Sequence, residues 1–269
     1  MSPARIPTAL SIAGSDSGGG AGIQADLKAF ARCGVHGTTA ITAITAQNTV
    51  GVEAVEAVAP EMVVAQVRAV AEDIGVDAVK IGMLGTAETV DAVVEALRYV
   101  GDAPVVIDPV MVAESGAVLL DGDARLALVE RLLPRTSLAT PNIPEARVLT
   151  GLGEGATQAD LAEGVLALGP KAVVVTGGHS EDLIDLFFDG ERLVEIPGER
   201  HPEGAAHGSG CTHSSALAAY LARGKAPLDA ARLAREIASK AVGAGLRDIG
   251  AGPGPVNVLN LTTEGSEGR

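Results

Sequence analysis

The feature that most constrains the fold of this chain is an alternation of short, β-branched apolar runs with longer stretches of helical periodicity. Between the runs, apolar residues recur every three or four positions, as in Ile23, Leu27 and Phe30, which is the spacing of one helix face. Strands that alternate with helices form βαβ units around a mostly parallel sheet. We predict strands at 8–13, 38–45, 78–81, 105–107, 138–140 and 172–176.

The last third of the chain departs from this alternation. A hairpin is predicted over 184–188 and 193–196, and two long helices follow it, beginning near Cys211 and near Leu228. The polar end of the chain, 260–269, is expected to be disordered. The predicted fold class is therefore α/β, with a doubly wound, mostly parallel central sheet flanked by helices.

Composition restricts the classes of ligand. Hydrophobic residues make up 47% of the 269 residues, and no linker divides the chain, so we expect one domain over residues 1–269. The net charge of −14, with three Phe, two Tyr and no Trp, opposes binding to nucleic acid and to acidic membranes. An anionic ligand must instead be held by local devices such as backbone amides, a cation or single basic groups.

Cysteine usage and hydropathy indicate the compartment. Two cysteines cannot form a disulfide framework, and no targeting pattern or long apolar span is visible. We therefore expect a cytoplasmic protein whose partner is a small molecule, with no membrane and no nucleic acid bound.

Residues 207–212, with the sequence His-Gly-Ser-Gly-Cys-Thr, stand directly before an apolar helical stretch. Two glycines around Ser209 let successive backbone N–H groups point to one side, and the helix that follows adds the positive end of its dipole, so phosphate is the expected occupant. A thiol at a helix N-terminus has a lowered pKa, so Cys211 is a candidate proton acceptor. The alternative is a flexible loop followed by a small buried cysteine.

A second glycine-rich turn, residues 14–22, follows the first predicted strand. Its spacing does not fit a dinucleotide fingerprint. Asp26, on the helix after this turn, shares a face with the apolar Ile23 and Phe30. We interpret Asp26 as a buried carboxylate that accepts hydrogen bonds from a ligand amine; the alternative is a first-turn charge that the helix dipole favours.

Oxygen-bearing side chains follow two neighbouring predicted strands. Asp108 comes after the fourth strand, and Asn142 and Glu145 come after the fifth, three residues apart and thus on one side of a helical turn. Ligands gather at this edge of open α/β sheets, and Mg²⁺ prefers carboxylate, phosphate and water oxygens. The alternative is ordinary turn formers and a helix-start charge. The pair Cys211 and His213 is a weak zinc signal because no second pair completes four ligands.

Six separated motifs, taken together, resemble the hydroxymethylpyrimidine and phosphomethylpyrimidine kinases of thiamine biosynthesis, within the ribokinase-like superfamily. The resemblance runs from Leu10 to about Asn257 and is specific because the motifs occur in the family's order. Cys211 stands where sugar kinases of the superfamily usually carry an aspartate base. The motifs are Gly14-Ser15-Asp16 with residues 19–26, Ala46-Gln47-Asn48-Thr49, Lys80-Ile81-Gly82-Met83-Leu84, Asp108-Pro109-Val110-Met111, Asn142-x-x-Glu145 and residues 207–212.

The resemblance implies roles for residues of this chain, with ATP and Mg²⁺ as cofactors and a homodimer as the assembly. Asp26 and Gln47 would read the amine and ring nitrogens of the pyrimidine, and Lys240 would lie near the nucleotide phosphates, unless it is an ordinary solvated lysine. The implied pyrimidine site comprises Gly14, Asp26, Thr45, Gln47, Met83 and Val110; the phosphoryl site comprises Gly208, Ser209, Gly210 and Cys211; the nucleotide site comprises Asn142, Thr176, Gly178 and Lys240; and the metal site comprises Asp108, Asn142 and Glu145.

The activity implied is phosphorylation of 4-amino-5-hydroxymethyl-2-methylpyrimidine and then of its monophosphate. A pyridoxal or pyridoxine kinase of the same fold is the alternative, since both substrates carry a hydroxymethyl group on a methylated nitrogen heterocycle. A nucleotide-binding regulator without catalysis would require a broken metal or anion site, and neither is visible. His207, His213 and Glu114 receive no role from the sequence.

Overall fold

The first strand, β1 (Thr8–Ala13), is buried along its whole length. It pairs in parallel with β2 (His36–Ile41) on one side and with β5 (Ala78–Ile81) on the other. Continuous burial is what a parallel strand covered by helices on both faces requires. These relationships come from a computed structural model, which describes residues 5–111, 119–178, 183–202 and 204–262.

Within the described residues the main sheet has eight strands in the order β10-β9-β8-β7-β6-β5-β1-β2. The strands from β2 to β8 in this sheet are parallel, and a hairpin of two antiparallel strands forms the far edge. The predicted doubly wound, mostly parallel sheet and its closing hairpin are therefore confirmed. The remaining strands of this sheet are β6 (Val105–Ile107), β7 (Leu138–Ala139), β8 (Val173–Val175), β9 (Asp185–Phe188) and β10 (Leu193–Ile196).

Helices cover both faces of the sheet, and each face forms a hydrophobic core with its helices. Neighbouring residues of one strand therefore pack into different cores. Val105 and Ile107 pack into one core, whereas Val106 between them packs into the other. The first core is covered by α2 (Pro60–Asp73), α3 (Ala87–Ala96), α4 (Gly122–Ala127), α5 (Ile143–Thr150) and α6 (Gln158–Ala167), and the second by α1 (Gly22–Arg32), α7 (Ser209–Ala222) and α8 (Pro227–Gly243).

The predicted strand 38–45 is wrong as a single element. The chain breaks at the buried Thr42, whose hydroxyl donates to the Met83 carbonyl at 2.7 Å, and β3 (Ala43–Gln47) then leaves the main sheet. It pairs antiparallel with β4 (Val52–Ala57) in a separate two-stranded sheet. β4 was not predicted, because it lies outside the core and its sequence, Val-Glu-Ala-Val-Glu-Ala, lacks the apolar alternation of a half-buried strand.

The predicted disordered tail begins too early. Asn257 holds Leu261 through two hydrogen bonds, one from its side-chain amide to the Leu261 carbonyl at 2.9 Å and one from the Leu261 N–H to its side-chain oxygen at 2.8 Å. The rest of that segment, 263–269, lies outside the described residues. No helix of the described chain is long and apolar enough to cross a membrane.

Candidate active site

A cavity of about 770 Å³ opens at the carboxyl edge of the parallel strands. Gly14 follows β1, Asp108 follows β6, Thr140 follows β7 and Thr176 follows β8, and all four line it. This is the edge at which open α/β sheets bind ligands, and the volume is that of a small-molecule site.

Five of the six residues assigned to the pyrimidine line this cavity, on the side of the glycine-rich turn and β3. The Thr45 hydroxyl donates to the Ser15 carbonyl at 2.7 Å, so its oxygen fixes the glycine-rich turn against β3. At Gly14 an added Cβ would lie 2.3 Å from the terminal methyl carbon of Met83, so a side chain there would displace Met83. The five residues are Gly14, Thr45, Gln47, Met83 and Val110.

Asp26 is the exception: its carboxylate is bonded to protein donors, and its assignment to a ligand amine stays a prediction. Its side chain is completely buried and is not part of the cavity wall. Asp26 Oδ1 accepts from Lys80 Nζ at 2.8 Å and from the Ser215 hydroxyl at 2.6 Å, and Oδ2 accepts from the Ser11 hydroxyl at 2.6 Å. Asp26 shares the buried face of α1 with Ile23 and Phe30, as predicted, but its carboxylate oxygens accept hydrogen bonds from protein groups.

Lys80 was missed by the sequence analysis as a functional residue. It lies on β5, its side chain is fully buried, and it lines the cavity. Burial lowers the pKa of Lys80, but the negative charge of Asp26, followed by that of Cys211 once its thiol ionises and that of Asp108, more than offsets this and raises it above its usual range. The ammonium group is therefore a fixed positive charge at the cavity wall. A lysine inside a fully apolar predicted strand was the signal that could have revealed it.

The N-terminus of α7 lies where the anion cradle was predicted, with one adjustment, and its binding of an anion stays a prediction. The helix begins at Ser209 rather than near Cys211, and Gly208 caps it with a left-handed φ of 83°. The Ser209 N–H donates to the Ala206 carbonyl at 2.9 Å. The N–H groups of Gly210 and Cys211 belong to the first helical turn, which has no carbonyl four residues back within the helix. Gly208, Ser209, Gly210 and Cys211 all line the cavity.

The expected low pKa of Cys211 is wrong for this geometry. Burial raises the pKa of the Cys211 thiol to about 12, and the charges of Asp26 and Asp108 act in the same direction. Lys80 and the backbone amide of Gly22 oppose this rise without overcoming it. The thiol is therefore protonated at neutral pH as the cavity stands.

Asp108 and Glu145 both line the cavity, and the positive charge near each is too small to offset the effect of burial on its pKa. Burial raises the pKa of Asp108 and raises that of Glu145 to about 8, with the charge of Asp108 as the second cause for Glu145. The Ser214 hydroxyl donates to Asp108 at 3.0 Å. A cation between the two carboxyl groups would let both ionise, so this donor set fits Mg²⁺.

Asn142 stabilises the start of α5. Its side-chain oxygen accepts the Glu145 N–H at 2.8 Å, and the Glu145 carboxylate accepts the Asn142 N–H at 2.9 Å, which is a capping box at the start of α5. Within the described chain no three His, Cys, Asp or Glu side chains lie close enough to hold a metal. An ion held by Asp108 and Glu145 would therefore complete its shell with phosphate or water oxygens.

The residues assigned to the nucleotide divide into two groups. Asn142, Thr176 and Gly178 line the cavity. Lys240 does not line it: its side chain is 67% exposed on α8 and pairs with Glu236 one turn earlier. The assignment of Lys240 to the phosphates stays a prediction, since its side chain lies in solvent and outside the cavity wall in this structure.

Asp185, His213 and Arg235 form a buried polar cluster in the cavity wall that was not predicted from the sequence. Asp185 lies 3.6 Å from His213 Nε2 and 3.3 Å from Arg235 Nη1, and all three residues line the cavity. Burial lowers the pKa of His213, which keeps its imidazole neutral. Glu114, whose role the sequence left open, lies outside the described residues.

Comparison with known proteins agrees with this geometry. A family model described as phosphomethylpyrimidine kinase matches residues 16–257. A hydroxymethylpyrimidine/phosphomethylpyrimidine kinase of Rhizobium meliloti (strain 1021) is 51% identical over 93% of this chain and 96% of that protein. The corresponding kinase of Streptomyces coelicolor is 45% identical over 95% of each chain.

Solved structures show the same fold. An ADP complex of Bacillus subtilis pyridoxal kinase superposes with a TM-score of 0.87 at 36% identity, covering 96% of this chain and 100% of that one. A phosphomethylpyrimidine kinase from Clostridium difficile superposes with a TM-score of 0.78 at 40% identity, covering 88% and 99%. The ribokinase-like fold and the family expected from the six motifs are confirmed. The chain belongs to the phosphomethylpyrimidine kinase family.

Proposed function

We propose that this protein transfers the γ-phosphoryl group of ATP to 4-amino-5-hydroxymethyl-2-methylpyrimidine and then to the resulting monophosphate. The observation that carries the proposal is that one cavity joins the pyrimidine-side residues to the N-terminus of α7, with Cys211 lining it. The two relatives that are 51% and 45% identical are named for both phosphorylations. We propose one kinase domain over residues 1–269 as its framework.

The pyrimidine would lie between the glycine-rich turn and β3. Met83 and Val110 offer thioether and aliphatic surface to the ring, which suits a protein with few aromatic side chains. With Asp26 bound to Lys80, Gln47 is the side chain we assign to the amine and ring nitrogens. Thr45 supports Gln47, since its hydroxyl lies 3.3 Å from the Gln47 side-chain oxygen.

The phosphoryl group would be held by the first turn of α7. Unpaired N–H groups and the positive end of the helix dipole stabilise negative charge at this position. In the transfer, the substrate oxygen forms a bond to the γ-phosphorus as the bond to the β-phosphate oxygen breaks and ADP leaves. Lys80 adds a buried positive charge at the same wall, which stabilises the charge spread over the transferring group.

Asp108 and Glu145 would hold Mg²⁺, with phosphate and water oxygens completing its shell and Thr176, Gly178 and Asn142 near the nucleotide. When bound, the ion supplies positive charge that neutralises these carboxylates and the phosphate oxygens. Asn142 fixes the backbone that orients Glu145, through the capping box described above.

Cys211 would accept the proton of the substrate alcohol as its oxygen attacks. A pKa of about 12 makes the thiolate scarce at neutral pH. Because the negative charge of Asp108 contributes to that value, neutralisation of this carboxylate would bring the pKa of the thiol down. Lys80 already acts in that direction, so Cys211 is the proposed base and Lys80 the fixed charge that favours its thiolate.

Pyridoxal is a second candidate substrate, because a solved pyridoxal kinase superposes on 96% of this chain. The pyridoxal kinase of Bacillus subtilis gives a TM-score of 0.87, against 0.78 for the Clostridium difficile phosphomethylpyrimidine kinase. Similarity of backbone does not decide between two heterocycles that each carry a hydroxymethyl group.

The decisive experiment measures phosphoryl transfer from Mg²⁺·ATP to both heterocycles with the same pure protein, following the mono- and diphosphate by mass spectrometry. We expect the aminopyrimidine to give both products with the higher kcat/KM. Gln47→Leu should lower kcat/KM for the aminopyrimidine more than for pyridoxal, with the Tm of both proteins as the control for stability. A higher kcat/KM for pyridoxal would overturn the substrate assignment and leave the kinase class intact.

We also propose a homodimer, as the family resemblance implies. The small β3–β4 sheet is separate from the main sheet and leaves Ile44 56% and Val55 51% exposed on its two paired strands, an apolar surface that a second copy would cover. Light scattering of the pure chain should give twice the mass of 27.0 kDa, and a monomer at micromolar concentration would contradict it.

A further inference from the structure

The two glycine-rich segments of the cavity, residues 14–22 and the cradle loop 205–211, touch each other directly. An added Cβ at Gly208 would lie 1.8 Å from the Gly20 carbonyl oxygen, and one at Gly20 would lie 2.2 Å from His207 Cδ2. Side chains at either glycine would push the segments apart, so this approach depends on both glycines.

Asp16 organises the first of these segments. Its carboxylate accepts N–H groups from Gly18 at 2.8 Å, Gly20 at 2.9 Å and Ala21 at 2.8 Å. Burial raises the pKa of Asp16, but the hydrogen bonds from His207 and from the backbone outweigh this and hold it below its usual value. Asp16 is therefore a buried, ionised carboxylate that shapes the glycine-rich turn.

His207 reaches the same carboxylate from the cradle loop. Its Nε2 lies 3.3 Å from Asp16 Oδ2, and the side chains are 13% and 2% exposed. The His207 backbone is fixed separately, since its carbonyl accepts the Val256 N–H at 3.1 Å. The next residue, Gly208, caps α7, so the imidazole is attached to the cradle at the point where the helix begins.

We propose that Asp16 and His207 are positioning residues that hold the anion cradle in register with the glycine-rich turn. Cys211 depends on the same register, because it lies in the first turn of the helix that Gly208 caps and lines the cavity from there. The pair thus fixes the phosphate-binding amides relative to the residues facing the acceptor. This inference deepens the proposed kinase function and rests on it for the identity of the two ligands.

The test is a double-mutant cycle on the affinity for Mg²⁺·AMP-PNP, measured by calorimetry, which needs no pyrimidine. We expect His207→Asn and Asp16→Asn each to weaken AMP-PNP binding about 10-fold, since a charge-assisted hydrogen bond is lost. The double variant should be no weaker than Asp16→Asn alone, because the contact with His207 is already lost in that variant. His36→Asn, at an exposed histidine of β2, is the matched control and should leave the affinity unchanged.

A conservative variant separates positioning from stability. His207→Gln places an amide nitrogen where the imidazole Nε2 stands, so it should restore AMP-PNP affinity to within about 3-fold of the original and recover kcat, while Tm stays the same in the Asn and Gln variants. Additive losses in the double variant, unchanged affinity in His207→Asn, or failure of Gln to do better than Asn would each overturn the proposal. If the variants behave as expected and the pyrimidine is not phosphorylated, the positioning role stands and the substrate assignment falls.

Discussion

The Lys80 ammonium lies 2.8 Å from Asp26 Oδ1, and neither side chain has any exposed surface. The pair joins β5 to α1, two elements whose residues are 54 positions apart in the chain. The hydroxyls of Ser11 and Ser215 complete the shell of the carboxylate. Lys80 meets the cavity while Asp26 does not, so Asp26 acts on the site through Lys80.

Asp26→Asn should destabilise the protein strongly, because it leaves a buried ammonium without its counter-charge. Breaking a buried pair on one side costs about 3–5 kcal/mol, which should appear as a large fall in Tm. The double variant Asp26→Asn with Lys80→Met should regain much of that stability, since no buried charge remains. Urea denaturation of the single and double variants measures both effects.

Activity separates the two members of this pair. Lys80→Met should lose phosphoryl transfer even where the fold is kept by the second substitution, because the positive charge at the cavity wall is gone. A double variant that regained stability and full kcat would show that Lys80 is purely structural. A stable Asp26→Asn protein with an altered preference between the aminopyrimidine and pyridoxal would return Asp26 to the substrate.

The two phosphorylations should respond differently to Cys211→Ala. An alcohol must lose its proton as it attacks, and a positioned base contributes roughly 10²–10⁴-fold, whereas a phosphate monoester is already largely ionised at pH 7. The alanine variant keeps the backbone amides of the cradle, so the fall should be large for the alcohol and much smaller for the monophosphate. Cys33→Ala, at a buried thiol away from the cavity, is the control. Equal losses in both steps would mean that Cys211 shapes the cradle and is not the base.

The ionisation of Cys211 can be followed without substrate. In a Cys33→Ala background, alkylation by iodoacetamide reports the thiolate, and a pKa raised to about 12 by burial predicts slow reaction at pH 7. Asp108→Asn should speed alkylation at a fixed pH, because it removes a charge that raises this pKa. Lys80→Met should make alkylation slower than in the parent protein, because it removes a charge that lowers this pKa. Rapid alkylation of the parent protein at pH 7 would contradict the raised pKa.

Local sequence patterns predicted most of the framework because the central strands are short apolar runs between turns. The break at Thr42 was invisible, since β-branched and apolar residues continue on both sides of it. β4 was missed for the opposite reason: its Glu53 and Glu56 are exposed, and nothing in its pattern reports pairing with β3. Pairing of an exposed strand depends on a partner elsewhere in the chain, which periodicity does not record.

The candidate site was predicted as far as each residue's chemistry is local. The positions of the glycines and Cys211 at the cavity were predictable, because the motif marks the start of a helix. The pKa of Cys211 was not, because it depends on Asp26 and Asp108, which belong to other parts of the chain. The face of Asp26 was correct and its partner Lys80 was not foreseen, because their pairing is a tertiary contact. The exposure of Lys240 was not foreseen either, since only the packing of α8 decides which of its faces meets solvent.

Glu145 predicts a pH dependence of stability that has an unusual sign. Its pKa is raised from 4.5 to about 8, so between these values the folded protein keeps a proton that the unfolded chain has lost, and stability falls as pH rises. One such group changes the free energy of unfolding by at most about 1.4 kcal/mol per pH unit. Asp108, whose pKa is also raised, acts in the same direction.

Glu145→Gln should therefore flatten the stability profile between pH 5 and 8. The amide keeps the volume and an acceptor for the Asn142 N–H, so the start of α5 is preserved. Without Mg²⁺ the Gln variant should be the more stable protein at pH 8, whereas added Mg²⁺ should raise the Tm of the parent protein more than that of the variant, because the ion compensates the ionised Glu145. Parallel stability profiles of the two proteins, or equal Mg²⁺ responses, would remove Glu145 from the metal site and leave it the helix-capping role alone.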